Sequence, residues 1–118
     1  MATSTETNHA GEFIVSEAKD YLSRDNVTVL TGTNFSVAGS VVELDTGKYV
    51  PLVAGSGNPV AVLYDAVDAS GADVVGAVAL TRIATLQESR LTYTGDVNLD
   101  AEKDAIKVIL LSQNIKVV

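Results

Sequence analysis

The chain has 118 residues, with 15 acidic side chains against 8 basic ones, a formal net charge of -7 and no cysteine. That length holds one domain with an appendage better than two domains. The lack of thiols removes disulfides, thiolate metal sites and cysteine nucleophiles together, and the negative charge opposes binding to nucleic acid or to anionic membranes.

Residues 1–11 are small and polar, with Glu6 the only formal side-chain charge among them. They lack the basic start and apolar centre of a secretory signal, and their composition is that of a disordered arm. Phe13, Ile14, Val15, Ala18, Tyr21 and Leu22 come next, without a clean period. Ile14, Ala18 and Leu22 suit a helix, whereas Phe13 and Val15 suit one face of a strand. Such a segment either packs on its own domain or is an arm that orders on a partner.

From Asn26 the pattern is that of β-structure. Val27 and Val29 alternate with Thr28 and Leu30 before a turn at Thr31-Gly32-Thr33-Asn34. Val41–Leu44 and Tyr49–Val53 flank Asp45-Thr46-Gly47-Lys48, which predicts a hairpin, and Pro51 places its second strand at an edge or a bulge. A loop at Gly55-Ser56-Gly57-Asn58-Pro59 precedes a strand over Val60–Tyr64 and an acidic turn over Asp65–Asp73. Residues 74–86 read as a buried strand followed by alternation around Arg82, Ile83 and Ala84, with a shorter strand near Leu91–Tyr93. The apolar run 74–80 is far shorter than the roughly 20 residues of a membrane helix. Over 100–113 the polar residues Asp100, Lys103, Asp104 and Lys107 fall at i, i+3, i+4 and i+7, which predicts a helix with a broad apolar face that must be covered on most sides. Asp100 is its expected N-cap and Asn114 its left-handed stop, before a strand-like tail over Ile115–Val118.

Groups suited to catalysis are scarce. His9, the single histidine, sits in the polar arm, where no group is held to the tolerance catalysis requires, and a Ser–His triad has no second histidine to draw on. The glycine-rich loop at 55–59 lacks the following Lys-Ser/Thr of a phosphate cradle. Asp65, Asp68 and Asp73, with Ser70 and Gly71, do not have the spacing of a calcium loop, so a solvated connection is expected. Glu43 and Asp45 lie too close around a turn to be assigned as an acid and base pair. No cofactor or metal is expected.

A resemblance supplies what chemistry does not. Gly11-Glu12-Phe13-Ile14-Val15-Ser16-Glu17-Ala18, followed by Leu22-Ser23-Arg24-Asp25-Asn26-Val27-Thr28-Val29 and Gly32, resembles the opening of the lambda-type head decoration, or capsid-cementing, proteins of tailed bacteriophages. Ala38-Gly39-Ser40-Val41-Val42 leading into Gly47-Lys48-Tyr49-Val50-Pro51 is similar to the family's next strand and hairpin. Leu80-Thr81-Arg82-Ile83-Ala84 and Leu110-Leu111-Ser112-Gln113-Asn114-Ile115-Lys116-Val117 resemble its central strand and its terminal helix with a short tail. The order of these segments, more than any one of them, carries the likeness. Asn114, where many relatives have glycine, and the long acidic loop 65–73 depart from the family pattern.

The resemblance implies a mainly β fold: a small β-clip-like or β-barrel-like domain with one C-terminal α-helix and an extended N-terminal arm. It implies a flexible capsid-binding arm over residues 1–25, contacting the major capsid protein through Phe13, Ile14, Val15, Tyr21 and Leu22. Residues 26–118 would form the decoration domain. The implied assembly is a homotrimer at threefold or quasi-threefold sites on the outside of the expanded head, made in the host cytoplasm and stabilising the shell without catalysis, cofactor, nucleic acid or membrane. The alternative is a small β-rich carbohydrate-binding module, for which Tyr49, Tyr64 and Tyr93 are the contact candidates.

Overall fold

The computed structural model describes residues 13–17, 23–95, 97 and 99–118. The expectations for residues 1–11, His9, Ala18, Tyr21 and Leu22 lie outside the described residues. In chain order the strands are β1 (Ile14–Glu17), β2 (Arg24–Val29), β3 (Asn34–Phe35), β4 (Ser40–Asp45), β5 (Lys48–Pro51), β6 (Val60–Leu63), β7 (Val67–Asp68), β8 (Val74–Leu80), β9 (Ala84–Leu86) and β10 (Thr92–Tyr93). Helix α1 (Asp100–Ser112) and strand β11 (Ile115–Val117) follow.

Five strands close on themselves in the order β4-β5-β2-β8-β6, with β6 returning to β4. Closure leaves no open edge in a mainly antiparallel barrel, with β2 and β5 its parallel pair. The hairpin expected at 45–48 joins β4 to β5. Asp45 pairs with Lys48, and Thr46 and Gly47 take φ of 49° and 84°, so both central residues of the two-residue turn are in the left-handed region, the conformation whose turn matches the right-handed twist of the strands.

Strand alternation sends one set of side chains inward: Val29, Val42, Tyr49, Ala61, Leu63, Ala77 and Ala79 fill the barrel. The three alanines leave room for the ring of Tyr49 in a narrow barrel. Phe35, Val67 and Ala69, brought in by the β3–β7 pair, belong to the same cluster. Part of the expected acidic turn is therefore a short strand. Val67 and Ala69 alternate with Asp68 and Ser70, and the apolar pair turns inward.

The outward face of β4, β6 and β8 carries a second core. Val41, Val60, Val62 and Leu80 pack under Ile106 and Leu110 of α1 and against Ala84, Leu86 and Ile115. The last three lie on a separate three-stranded sheet, β1-β9-β11, in which β9 is central. Its central position leaves β1 and β11 as the sheet's two edges.

Helix α1 covers less of itself than its pattern predicts. Ile106 and Leu110 are buried, while Val108 is 68% and Leu111 62% exposed. One stripe satisfies the barrel, and the rest of the apolar face stays open to solvent. The helix begins with Leu99 as N-cap and Asp100 as its first residue. Asp100 is thus not the N-cap, and the Glu102 carboxylate, at the third helical position, accepts the Leu99 N–H at 3.1 Å. Asn114 is the left-handed stop, at φ 64°.

Candidate interaction surfaces

Phe13 and strand β1 are described residues of the expected arm, as are Ser23, Arg24 and Asp25. Phe13 is fully buried, and its ring lies over Gly39, where a methyl group would come within 3.2 Å of the ring and 2.8 Å of the Arg90 carbonyl oxygen. The Phe13 carbonyl accepts the Gln87 N–H at 2.8 Å. Ile14 pairs with Leu86 and is half-buried, and a register shift follows before Ser16 pairs with Thr85 and Glu17 with Ala84. Val15 falls in that irregularity and is 57% exposed. The predicted boundary at residue 25 falls inside β2.

Glu17 ties the strand to the barrel. Its carboxylate accepts hydrogen bonds from Ser23 and from the Arg24 guanidinium, whose Nε lies at 3.2 Å. Burial pushes the Glu17 carboxyl up, but these hydrogen bonds outweigh it and hold the group below its ordinary value. Arg24 also stacks on Tyr64, 4.1 Å from the ring centroid. A few residues on, Asp25 accepts both guanidinium nitrogens of Arg82 (2.7 and 3.3 Å) and the Thr81 hydroxyl (2.8 Å), which lower its carboxyl.

The opposite edge of the sheet carries an apolar groove of about 310 Å³ between α1 and β11. It is lined by Lys107, Val108, Leu111, Ile115, Lys116 and Val117. Lys107 bonds Glu88 at 3.0 Å and Asp104 at 3.1 Å, so its charge is neutralised within the subunit.

Among the described residues, none of those weighed for chemistry forms a reactive site. Glu43, 2% exposed, is the most deeply buried charge among the described residues. Its Oε1 accepts Val53 N–H (2.6 Å) and Ser56 Oγ–H (3.0 Å), and its Oε2 accepts Asn58 Nδ2–H (2.8 Å). The loop that superficially resembled a phosphate cradle is thus wrapped around the protein's own carboxylate. Asp45 is exposed at the hairpin tip.

The three loop aspartates turn to separate partners, local for Asp65 and Asp68 and distant in sequence for Asp73. Asp65 accepts the Ala66 N–H, Asp68 caps Ser70, and Asp73 accepts Thr31 N–H and the Lys48 ammonium, both at 2.7 Å. No group of three metal-ligating side chains occurs among the described residues. Tyr49, Tyr64 and Tyr93 do not form an aromatic platform. Tyr49 is inside the barrel, Tyr64 lies beneath Arg24, and Tyr93 packs against the outer core with Lys103 over its ring.

Two further polar residues with structural roles carry little signal in the sequence. Gln113 brackets Val60, accepting its N–H at 2.9 Å and donating to its carbonyl at 2.6 Å, and donates again to Thr81 O at 3.0 Å. The side-chain amide thereby stands in for a strand where β6 begins. Thr94 accepts the Leu52 N–H at 3.1 Å and donates to Val41 O at 2.5 Å. The next residue, Gly95, passes so close to Leu52 that a Cβ would lie 2.0 Å from its carbonyl oxygen.

Among the described residues, no helix is long and apolar enough to cross a membrane. Comparison with curated proteins and with solved structures finds no match. A family model does match, over residues 3–115, and it is that of the Bacteriophage lambda head decoration protein D. The match takes in β1, the barrel, β9 and α1 and ends at Ile115, the first residue of β11, so the chain belongs to the lambda head decoration protein D family and is a structural protein of the phage head.

Proposed function

We propose that the protein coats the outside of the expanded head as a homotrimer at threefold and quasi-threefold positions, holding the shell against the pressure of packaged DNA. The observation that carries this reading is β1. It is an edge strand, anchored at one end by Phe13, with its other edge unpaired among the described residues and Val15 turned outward. Such an edge accepts an extended segment of the major capsid protein by strand addition, with main-chain hydrogen bonds for affinity and side-chain burial for specificity. Phe13, Ile14, Val15, Tyr21 and Leu22 are the arm residues assigned to this contact. Phe13 and Ile14 act by holding the strand in place.

Association into a trimer multiplies a weak single contact. Three linked arms raise avidity by roughly 10² to 10⁴. The outer face of α1, with Val108 and Leu111, supplies apolar surface for contact between subunits. A site present only on the expanded shell makes each bound trimer stabilise that state over the precursor, by linkage. The net charge of -7 disfavours contact with packaged DNA and suits an exterior position.

The test is cosedimentation of purified protein with expanded and unexpanded shells of the cognate phage, with light scattering to fix stoichiometry. Selective binding of a trimer to expanded shells is expected. Equal binding to both shells, or to neither, refutes the reading.

A further inference from the structure

Ile83 has the conformation least suited to its residue type. Its φ is 51°, in the left-handed region, which a β-branched side chain enters only at a cost in free energy. The other two non-glycine residues with positive φ among the described residues have evident reasons. Thr46 sits in a two-residue hairpin turn, and Asn114 is a helix stop of a residue type that tolerates the conformation.

The backbone around Ile83 is clamped on both sides. Thr81 donates its N–H to Ser23 O at 3.0 Å and accepts from Gln113, Arg82 is held by Asp25, and Ala84 donates its N–H to Asn114 O at 3.2 Å. The surroundings impose the strain, and the side chain they present is 44% exposed. It borders a shallow depression with Ser16, Glu17, Asn114 and Lys116. Asparagine or glycine would relax the backbone here. An exposed isoleucine gives up that relaxation while burying only part of itself within its own subunit.

We propose that Ile83 is a shell-contact residue, an apolar knob held outward by a strained connection to meet the capsid protein beside the arm. This rests on the decoration reading above. The capsid is favoured as occupant because Ile83 is continuous with the arm. Its neighbour Ala84 pairs with Glu17, and Thr81 bonds Ser23, so the residues flanking segment 18–22, which carries Tyr21 and Leu22, both attach next to it. The Thr46 turn lies at the other end of the barrel. Asp45–Lys48 continues from Tyr49, which pairs with Val29 at one end of β2, whereas Leu80 pairs with Arg24 at the other.

That separation provides an internal control. Ile83→Asn and Thr46→Asn relieve the same kind of strain, and each is expected to raise the melting temperature by about 5 °C. Only Ile83→Asn is expected to weaken cosedimentation with expanded shells, by about tenfold or more, with the oligomeric state by light scattering unchanged. Undiminished shell binding by folded Ile83→Asn overturns the proposal. So does a lowered melting temperature for that variant, which would make the side chain a requirement of its own fold. A loss of binding that tracks dissociation of the oligomer also overturns it and places Ile83 between subunits. If wild-type protein binds no shells, the decoration reading itself fails; if wild type binds and Ile83→Asn binds equally, only the present inference does.

Discussion

Replacing Phe13 by alanine tests whether β1 belongs to the free protein or forms only on the shell. The ring is fully buried in the outer core, in contact with Gly39, among residues that include Leu86 and Ile115. Phe→Ala at such a site costs about 3–5 kcal/mol, from lost transfer free energy and the cavity left behind. Domains of this size are stable by roughly 5–15 kcal/mol, so the variant should fold and be measurable. Urea denaturation should show a lowered midpoint at nearly unchanged m-value. Hydrogen exchange gives a second readout, because the Gln87 amide donates to the Phe13 carbonyl and should be protected in wild type and exposed in the variant. A stability change below about 0.5 kcal/mol, with rapid Gln87 exchange already in wild type, would refute the docked strand. The distinction matters for binding. A strand already ordered has met its backbone entropy cost of roughly 1–2 kcal/mol per residue before the shell arrives, and the shell contact gains by that amount.

Glu43→Ala leaves the Val53 N–H, the Ser56 hydroxyl and the Asn58 amide without their acceptor, and should cost about 2–4 kcal/mol by urea denaturation. Gly95→Ala forces a methyl group into the Leu52 carbonyl and should cost more than about 3 kcal/mol or abolish folding, read by circular dichroism and thermal melting. Leu111→Glu should leave the thermal stability of the protomer within about 0.5 kcal/mol, since the residue is 62% exposed, while light scattering shows a smaller assembly. Acid should loosen β1. Glu17 and Asp25 have carboxyls lowered in the folded state, so their contribution is present above the unfolded values of 4.5 and 3.8 and is lost as pH falls through the lower folded values. Stability should therefore decline below about pH 4, and Glu17→Gln should flatten part of that decline.

The elements readable from sequence are those whose signal is local. Thr46-Gly47 between two apolar runs specifies its hairpin because the turn admits few residue types, and the 3.6-residue spacing of Asp100, Lys103, Asp104 and Lys107 specifies α1. The β1 segment defeated its periodicity for a physical reason. The register shift between Ile14 and Ser16 puts an irregularity in the middle of a four-residue strand, so neither period 2 nor period 3.6 fits. Barrel closure was not legible either, since the β4–β6 and β2–β5 pairings are long-range and no residue type announces them. Nothing in the sequence marks Glu43 as a buried carboxylate. Only the fold shows that three donors of the 53–58 loop converge on it. The strain at Ile83 is equally invisible, because the residue type points to a strand and the clamps at Ser23, Asp25 and Asn114 are distant in sequence.

What the fold leaves unspent agrees with membership in a family of structural head proteins. The buried or clustered polar groups that could have done chemistry are engaged by the protein itself: Glu43 by its loop, Asp25 by Arg82, Asp73 by Lys48 and Gln113 by Val60. The outward-facing features of the described residues include an unpaired strand edge with Val15, a helix face with Val108 and Leu111, and Ile83 at a strained turn. Main-chain edges and apolar side chains bind without transforming what they bind. On the proposed reading, their distribution over both edges of one small sheet, with α1 packed beside the second, would let one protomer meet a capsid chain on one side and a sister subunit on the other.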